Sequence, residues 1–116
     1  MYRYRFGSIV LVPFPFTDLT STKLRPALII SKDNPRSEDI VASFITSRVK
    51  PQLAAYEFAI TAENAIFKNT GLKVSSIVRF DKIATLNKKL ILGELGFVPT
   101  KFLRAVKKRF LAAFGF

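Results

Sequence analysis

The apolar runs of this chain are too short and too β-branched to be helices. Residues 9–12 read Ile-Val-Leu-Val and stop at Pro13 and Pro15. A run of that length, bounded by helix breakers, is the signature of a buried strand. Residues 27–31 and 40–45 repeat the pattern, the first entered through Arg25-Pro26 and left through the turn signal Asp33-Asn34-Pro35. A weaker fourth strand is predicted over 57–60 and a fifth over 75–80, with the turn residues Asn69-Thr70-Gly71 between them. Two more are predicted over 83–86 and 90–95, joined by Asn87-Lys88. The polar stretch 17–24 has no periodicity and reads as a hairpin loop. Only the C-terminal end is helical. Pro99-Thr100 opens it, Leu103, Val106, Phe110, Ala113 and Phe114 recur at three- and four-residue steps, and Gly115 stops it. Lys101, Arg104, Lys107 and Lys108 fall on the opposite side of that helix. Many short strands followed by one helix predict a mainly β fold, a small and strongly bent sheet or barrel carrying a C-terminal helix.

Composition narrows the chemistry. At 116 residues the chain is expected to form one domain over 1–116. Its 49% hydrophobic content, with twelve Phe, is incompatible with disorder, which needs a shortage of such residues. There is no Cys and no His, so a disulfide framework, a zinc site, Ser-His or Cys-His nucleophiles and a His-His acid/base pair are all excluded. The eight Asp and Glu include no pair that reads as a magnesium site apart from the neighbours Glu38 and Asp39. No metal or cofactor is expected. Nineteen Lys and Arg leave a net charge of +11, a field that attracts polyanions. The excess is uneven: residues 64–116 hold eleven bases against Asp81 and Glu94. The longest apolar stretch, residues 9–16, spans eight residues and contains two prolines, far short of the ~20 a membrane span needs. A soluble, cytoplasmic protein is expected, with no membrane partner.

Four segments carry a more specific signal. They are Phe6-Gly7-Ser8-Ile9-Val10-Leu11-Val12-Pro13-Phe14-Pro15-Phe16-Thr17-Asp18-Leu19, Leu24-Arg25-Pro26-Ala27-Leu28-Ile29-Ile30-Ser31, Phe44-Ile45-Thr46-Ser47, and Thr70-Gly71-Leu72-Lys73-Val74-Ser75-Ser76-Ile77-Val78-Arg79. In this order and at this spacing the set resembles the PemK/MazF toxins of bacterial type II toxin–antitoxin systems. The resemblance implies a small SH3-like barrel of the CcdB/MazF/PemK type, usually a homodimer, that cuts single-stranded RNA independently of the ribosome. It also implies a cognate antitoxin whose acidic segment covers the RNA site, with operator DNA met only through the antitoxin complex. The family's catalytic arginine falls on Arg25 and its catalytic threonine on Thr46. Ser47, Arg48, Asp18 and Lys23 are the accompanying candidates for RNA contact. The first loop here, Asp18-Leu19-Thr20-Ser21-Thr22-Lys23-Leu24, lacks the glycine-rich stretch of familiar members. The cleavage sequence therefore does not carry over.

The implied chemistry is consistent with the side chains. RNA brings its own nucleophile, the 2′-hydroxyl, so a site must deprotonate it, stabilise the phosphorane and protonate the leaving 5′-oxygen. A guanidinium, with a pKa above about 12, suits the second task best, because its planar fork holds two phosphate oxygens. Acid/base duty for the same arginine is the alternative. Thr46 offers one hydroxyl and Ser47 a second, while Asp18 is a candidate base. Two other functions fit a basic barrel: a CcdB-like toxin that binds DNA gyrase without catalysis, and an RNA-binding barrel that does not cut. Arg25 and Thr46 favour the nuclease, since a gyrase binder needs neither.

Overall fold

The computed structural model describes residues 4–13, 23–32 and 34–116. Six strands form one antiparallel sheet: β1 (Ser8–Pro13), β2 (Leu24–Ile29), β3 (Asp39–Thr46), β4 (Glu57–Ile60), β5 (Ser76–Asn87) and β6 (Gly93–Phe97), in the order β4-β5-β3-β2-β1-β6. A short helix α1 (Phe67–Thr70) precedes β5, and α2 (Leu103–Ala112) follows β6. The expected mainly β fold with a C-terminal helix is what the chain adopts. Near-equal extents of 36 × 34 × 31 Å reflect a sheet curled on itself rather than spread flat.

Curling explains why the strands read as continuous apolar runs. Both faces are buried, as in other doubly covered strands. Ile9, Leu28, Ile45, Val78 and Phe80 pack in one cluster together with Val106 of α2. Their neighbours Val10, Val12, Ala27, Ile29, Ala42 and Phe44 pack in a second cluster on the opposite face. Phe44 and Phe80, 2% and 1% exposed, contribute on the order of 1.5–3 kcal/mol apiece by leaving water. Phe110 closes the first cluster from α2, its ring edge-on to Phe6 and Phe80 at 6.5 and 5.9 Å.

Two expectations need correction. The strands predicted over 75–80 and 83–86 are one strand, β5. Its register against β3 jumps from Ser43↔Ile83 to Phe44↔Arg79, so residues 80–82 form an extra bend that sequence reading mistakes for a break. The Ser43 hydroxyl donates to the Arg79 carbonyl at 2.6 Å and pins that bend. Likewise the run 90–95 is not a strand throughout. Lys88–Leu90 make a 3₁₀ turn, whose Lys89 N–H donates to the Asn87 side chain, and the strand is Gly93–Phe97. The predicted hairpin loop 17–24 lies mostly outside the described residues, and Leu24 already belongs to β2.

Glycine is required where α1 meets β6. Gly71 closes α1 in the left-handed conformation, at φ 73°. A Cβ there would collide with the Leu95 backbone, and one at Gly96 would collide with the carbonyl region of Asn69 and Thr70. Two glycines thus let the backbones touch. At the other end, α2 ends at Ala112, three residues before the positive-φ Gly115 predicted to stop it, because turns at 113–115 close the chain first. Its exposed side carries Arg104, three residues from Lys101 and Lys107 and four from Lys108. Like charges at those spacings destabilise a helix by about 0.2–0.5 kcal/mol per pair.

Candidate functional site

Strand register assembles the site. β2 and β3 pair Ala27 with Phe44, and β3 and β5 pair Phe44 with Arg79. Side chains alternate along a strand, so Arg25, Thr46 and Arg79 all project from the face that holds Ala27 and Phe44. There the apolar cluster ends and a polar cleft begins. The cleft has a volume of about 320 Å³ and is lined by Arg25, Thr46, Ser47, Arg48, Arg79 and Lys82 over a floor of Phe44 and Ile45. Four of these six side chains are cationic, so the cleft is built for an anion.

A second depression of about 300 Å³ adjoins it across Arg25 and Ser47, which line both. This one is mainly apolar, walled by Leu11, Pro26, Leu72, Val74 and Leu95. The contact of α1 with β6 brings Gly71 and Leu95 to its edge. A ligand with a charged and a flat apolar part would therefore straddle Arg25 and Ser47.

One cleft cation, Arg79, is held in place by carboxylates. The Arg79 guanidinium donates through Nε and Nη2 to the two Asp81 oxygens at 3.1 and 2.6 Å, a two-pronged contact that raises its already high pKa. Burial pushes the Asp81 carboxyl up, but the hydrogen bond and charge of Arg79 outweigh it and hold the group below the usual carboxylate range. Glu57, with a side chain only 3% exposed, lies behind Arg79, with 4.0 Å between Arg79 Nε and Glu57 Oε2. It takes an ion pair from Lys50 Nζ at 2.8 Å and a hydrogen bond from the Ala54 N–H at 2.7 Å. Desolvation raises the Glu57 carboxyl, yet Lys50, the Ala54 N–H and Arg79 together bring it below its ordinary value. Glu57 so ties residues 50–54 against β4 and steadies the segment that follows Arg48. The Thr46 hydroxyl accepts from the Arg48 N–H at 3.1 Å. Its own proton remains for a second partner.

Of the residues singled out from sequence, Arg25, Thr46, Ser47 and Arg48 come together in the cleft. Lys23 is exposed and lines neither depression. Asp18 lies outside the described residues. Arg79 and Lys82 were not singled out. Arg79 had a signal, a lone charge in the apolar run Ile77-Val78-Arg79-Phe80. Lys82 had none, because only the bend in β5 turns it toward the cleft. Among the described residues no three acidic groups gather where a metal ion could be held, and no helix is long and apolar enough to cross a membrane.

Residues 5–114 match the family described as PemK-like, MazF-like toxin of type II toxin–antitoxin system. No curated sequence relative matches. Among solved structures, MazF of Deinococcus radiodurans superposes with a TM-score of 0.72 at 24% identity, covering 100% of both chains. The Mycobacterium tuberculosis toxin MazF-mt6 gives 0.73 at 21% identity, over 92% of this chain and 95% of its own. A mycobacterial endoribonuclease in complex with its cognate antitoxin gives 0.73 at 20% identity, over 97% and 95%. At these identities the likeness is one of fold.

Proposed function

The chain belongs to the PemK-like, MazF-like toxins of type II toxin–antitoxin systems, and from that premise we propose that it is a metal-independent endoribonuclease acting on single-stranded RNA. The observation that carries the reading is the convergence of Arg25 and Thr46 in one cationic cleft, next to an apolar depression. In this reading the scissile phosphate lies in the cleft and an unstacked base lies in the depression. Arg25, on the rim between them, takes the charge that develops on the phosphorane. Preorganised donors of this kind contribute roughly 10²–10³ each to the rate. Thr46 donates its hydroxyl to a phosphate oxygen, and Ser47 and Arg48 hold the neighbouring backbone. Arg79 supplies a second fork, and Asp81 is a positioning residue that fixes its plane.

Regular duplexes resist the in-line approach of the 2′-oxygen and hide base edges, so single strands are the expected substrate and selectivity resides in the apolar depression. A cytoplasmic site of action follows from an mRNA substrate. A cognate antitoxin partner follows from the family, as in the mycobacterial endoribonuclease solved with its cognate antitoxin. Operator DNA would be met only through that complex. A homodimer is supported by the exposed Leu92 and Phe97, large apolar side chains beside and on the edge strand β6.

The test is incubation with a long single-stranded RNA in EDTA. Cleavage should persist and leave a 2′,3′-cyclic phosphate and a 5′-hydroxyl. A substrate with one deoxynucleotide 5′ to the scissile phosphate should bind and stay intact. Products carrying a 5′-phosphate would refute attack by the 2′-oxygen.

A further inference from the structure

The strongest charge concentration outside the cleft is the exposed side of α2. Beyond Glu94 the chain contains no Asp or Glu, so Lys101, Arg104, Lys107 and Lys108 have no acidic neighbour on their own element. The arrangement works against the helix. Arg104 is crowded by like charges one turn away on either side, and cations in the first turn oppose the helix dipole. Where local rules are broken without local gain, function is the usual compensation.

Lys107 stands between two shallow depressions. One, of about 670 Å³, follows the helix past Lys101, Arg104 and Lys108. The other, of about 500 Å³, is lined by Arg5, Phe6 and Lys32. Aromatic rings are set among these bases: Lys107 Nζ lies 5.3 Å from the Phe6 ring centroid, and Lys101 Nζ lies 5.3 Å from that of Phe102. One stretch of backbone runs between α2 and the cleft. Arg109 donates to the Ala55 carbonyl at 3.3 Å, and Ala55 belongs to the 47–56 segment that begins with the cleft residues Ser47 and Arg48.

We propose that this face of α2 is a second docking track for single-stranded RNA, engaging the strand beyond the cleft. The inference rests on the endoribonuclease reading for its choice of polyanion. Cations spaced along a groove follow phosphates, and a ring at its edge takes an unstacked base. An acidic polypeptide would use the charge alone, whereas Phe6, which lines the second depression, also offers a base a ring edge.

The probe is a long, unstructured 2′-O-methyl RNA, which binds without being cut. The variant K101Q/R104Q/K108Q is compared with K68Q/K88Q/K89Q, which removes the same charge elsewhere. Glutamine is a good helix former and relieves the crowding, so α2 should stay folded. The α2 variant should lose affinity about 10–100-fold at about 0.1 M salt and flatten the salt dependence by about two, the sum for three lost phosphate contacts on a single strand. The charge-matched variant should lose far less. Equal losses in the two variants would overturn the track and leave only a general field. Loss of polyglutamate binding in the α2 variant, with RNA binding intact, would overturn it in favour of an acidic polypeptide. If the unaltered protein binds no RNA, the endoribonuclease reading falls too, an outcome distinct from the other two.

Discussion

The cleft and the outer face of α2 carry similar charge in opposite ways. In the cleft wall Arg79 is clamped by Asp81, and Glu57 behind it anchors Lys50. On α2 the bases stand among themselves, on an element with no acid of its own. A fixed fork is suited to a transition state, where a misplaced donor loses most of its effect. Floating lysines suit a flexible polyanion whose phosphates have no single position. The carboxylates around Arg79 therefore mark a cation whose plane is fixed, which no base on α2 shares from its own element.

The difference can be broken from either side. The largest effect is expected at the cleft: Arg25→Ala should lower the single-turnover rate at saturating enzyme by about 10²–10³, with a much smaller change in affinity for uncleavable RNA. Arg25→Lys should not rescue it, because a point charge cannot reproduce the fork. If affinity falls and the saturated rate survives, Arg25 only binds. Thr46→Val keeps shape and β-branching, so a rate loss of about tenfold with a melting temperature near that of the unaltered protein is expected; a large loss of stability would instead make Thr46 a structural residue.

Removing a clamp should convert one kind of cation into the other. Glu57→Ala leaves the Ala54 N–H unmet and Lys50 loose, at a cost of about 1–3 kcal/mol in denaturant unfolding. Acid should act in the same direction. Glu57 and Asp81 titrate lower in the folded protein than in the unfolded chain, so the stability they contribute is complete above the ordinary carboxylate range. It is lost as pH falls through their depressed folded values. A urea midpoint flat from neutrality down to about pH 3 would contradict the clamps. The smallest effect has the opposite sign. K101Q/R104Q/K108Q should raise the melting temperature by a degree or two, since relieving like-charge pairs is worth a few tenths of a kcal/mol.

Much of the fold is legible in the amino-acid sequence. The strands 9–12, 40–45 and 57–60 sit within a residue of β1, β3 and β4, and 27–31 within three of β2; of the α2 stripe, Leu103, Val106, Phe110 and Ala113 pack on the core, while Phe114 stays exposed. Periodicity and breakers report local preference, and here local preference agrees with the fold. The missed elements are those where the tertiary context decides. Residues 80–82 look like a gap between strands because nothing local says that Ser43 will hold the Arg79 carbonyl and keep the chain in one bent strand. Gly96 reads as an ordinary strand glycine until α1 is seen pressed against it.

The site divides along the same line. Arg25 and Thr46 are legible as candidates through the family resemblance, whose motifs Arg25-Pro26 and Ile45-Thr46 are contiguous in the chain, and both line the cleft. Arg79 and Lys82 are not legible in that way, since they become cleft residues only through pairing with β3 and the bend beside it. By itself the sequence determined the short strands, the amphipathic helix, the excess of positive charge and the exclusion of imidazole and thiol chemistry, all of which depend on residue type and near neighbours. Only the tertiary structure decided which cations are clamped and which stand loose, because an ion pair such as that of Lys50 with Glu57 depends on where a curled sheet brings two backbones together.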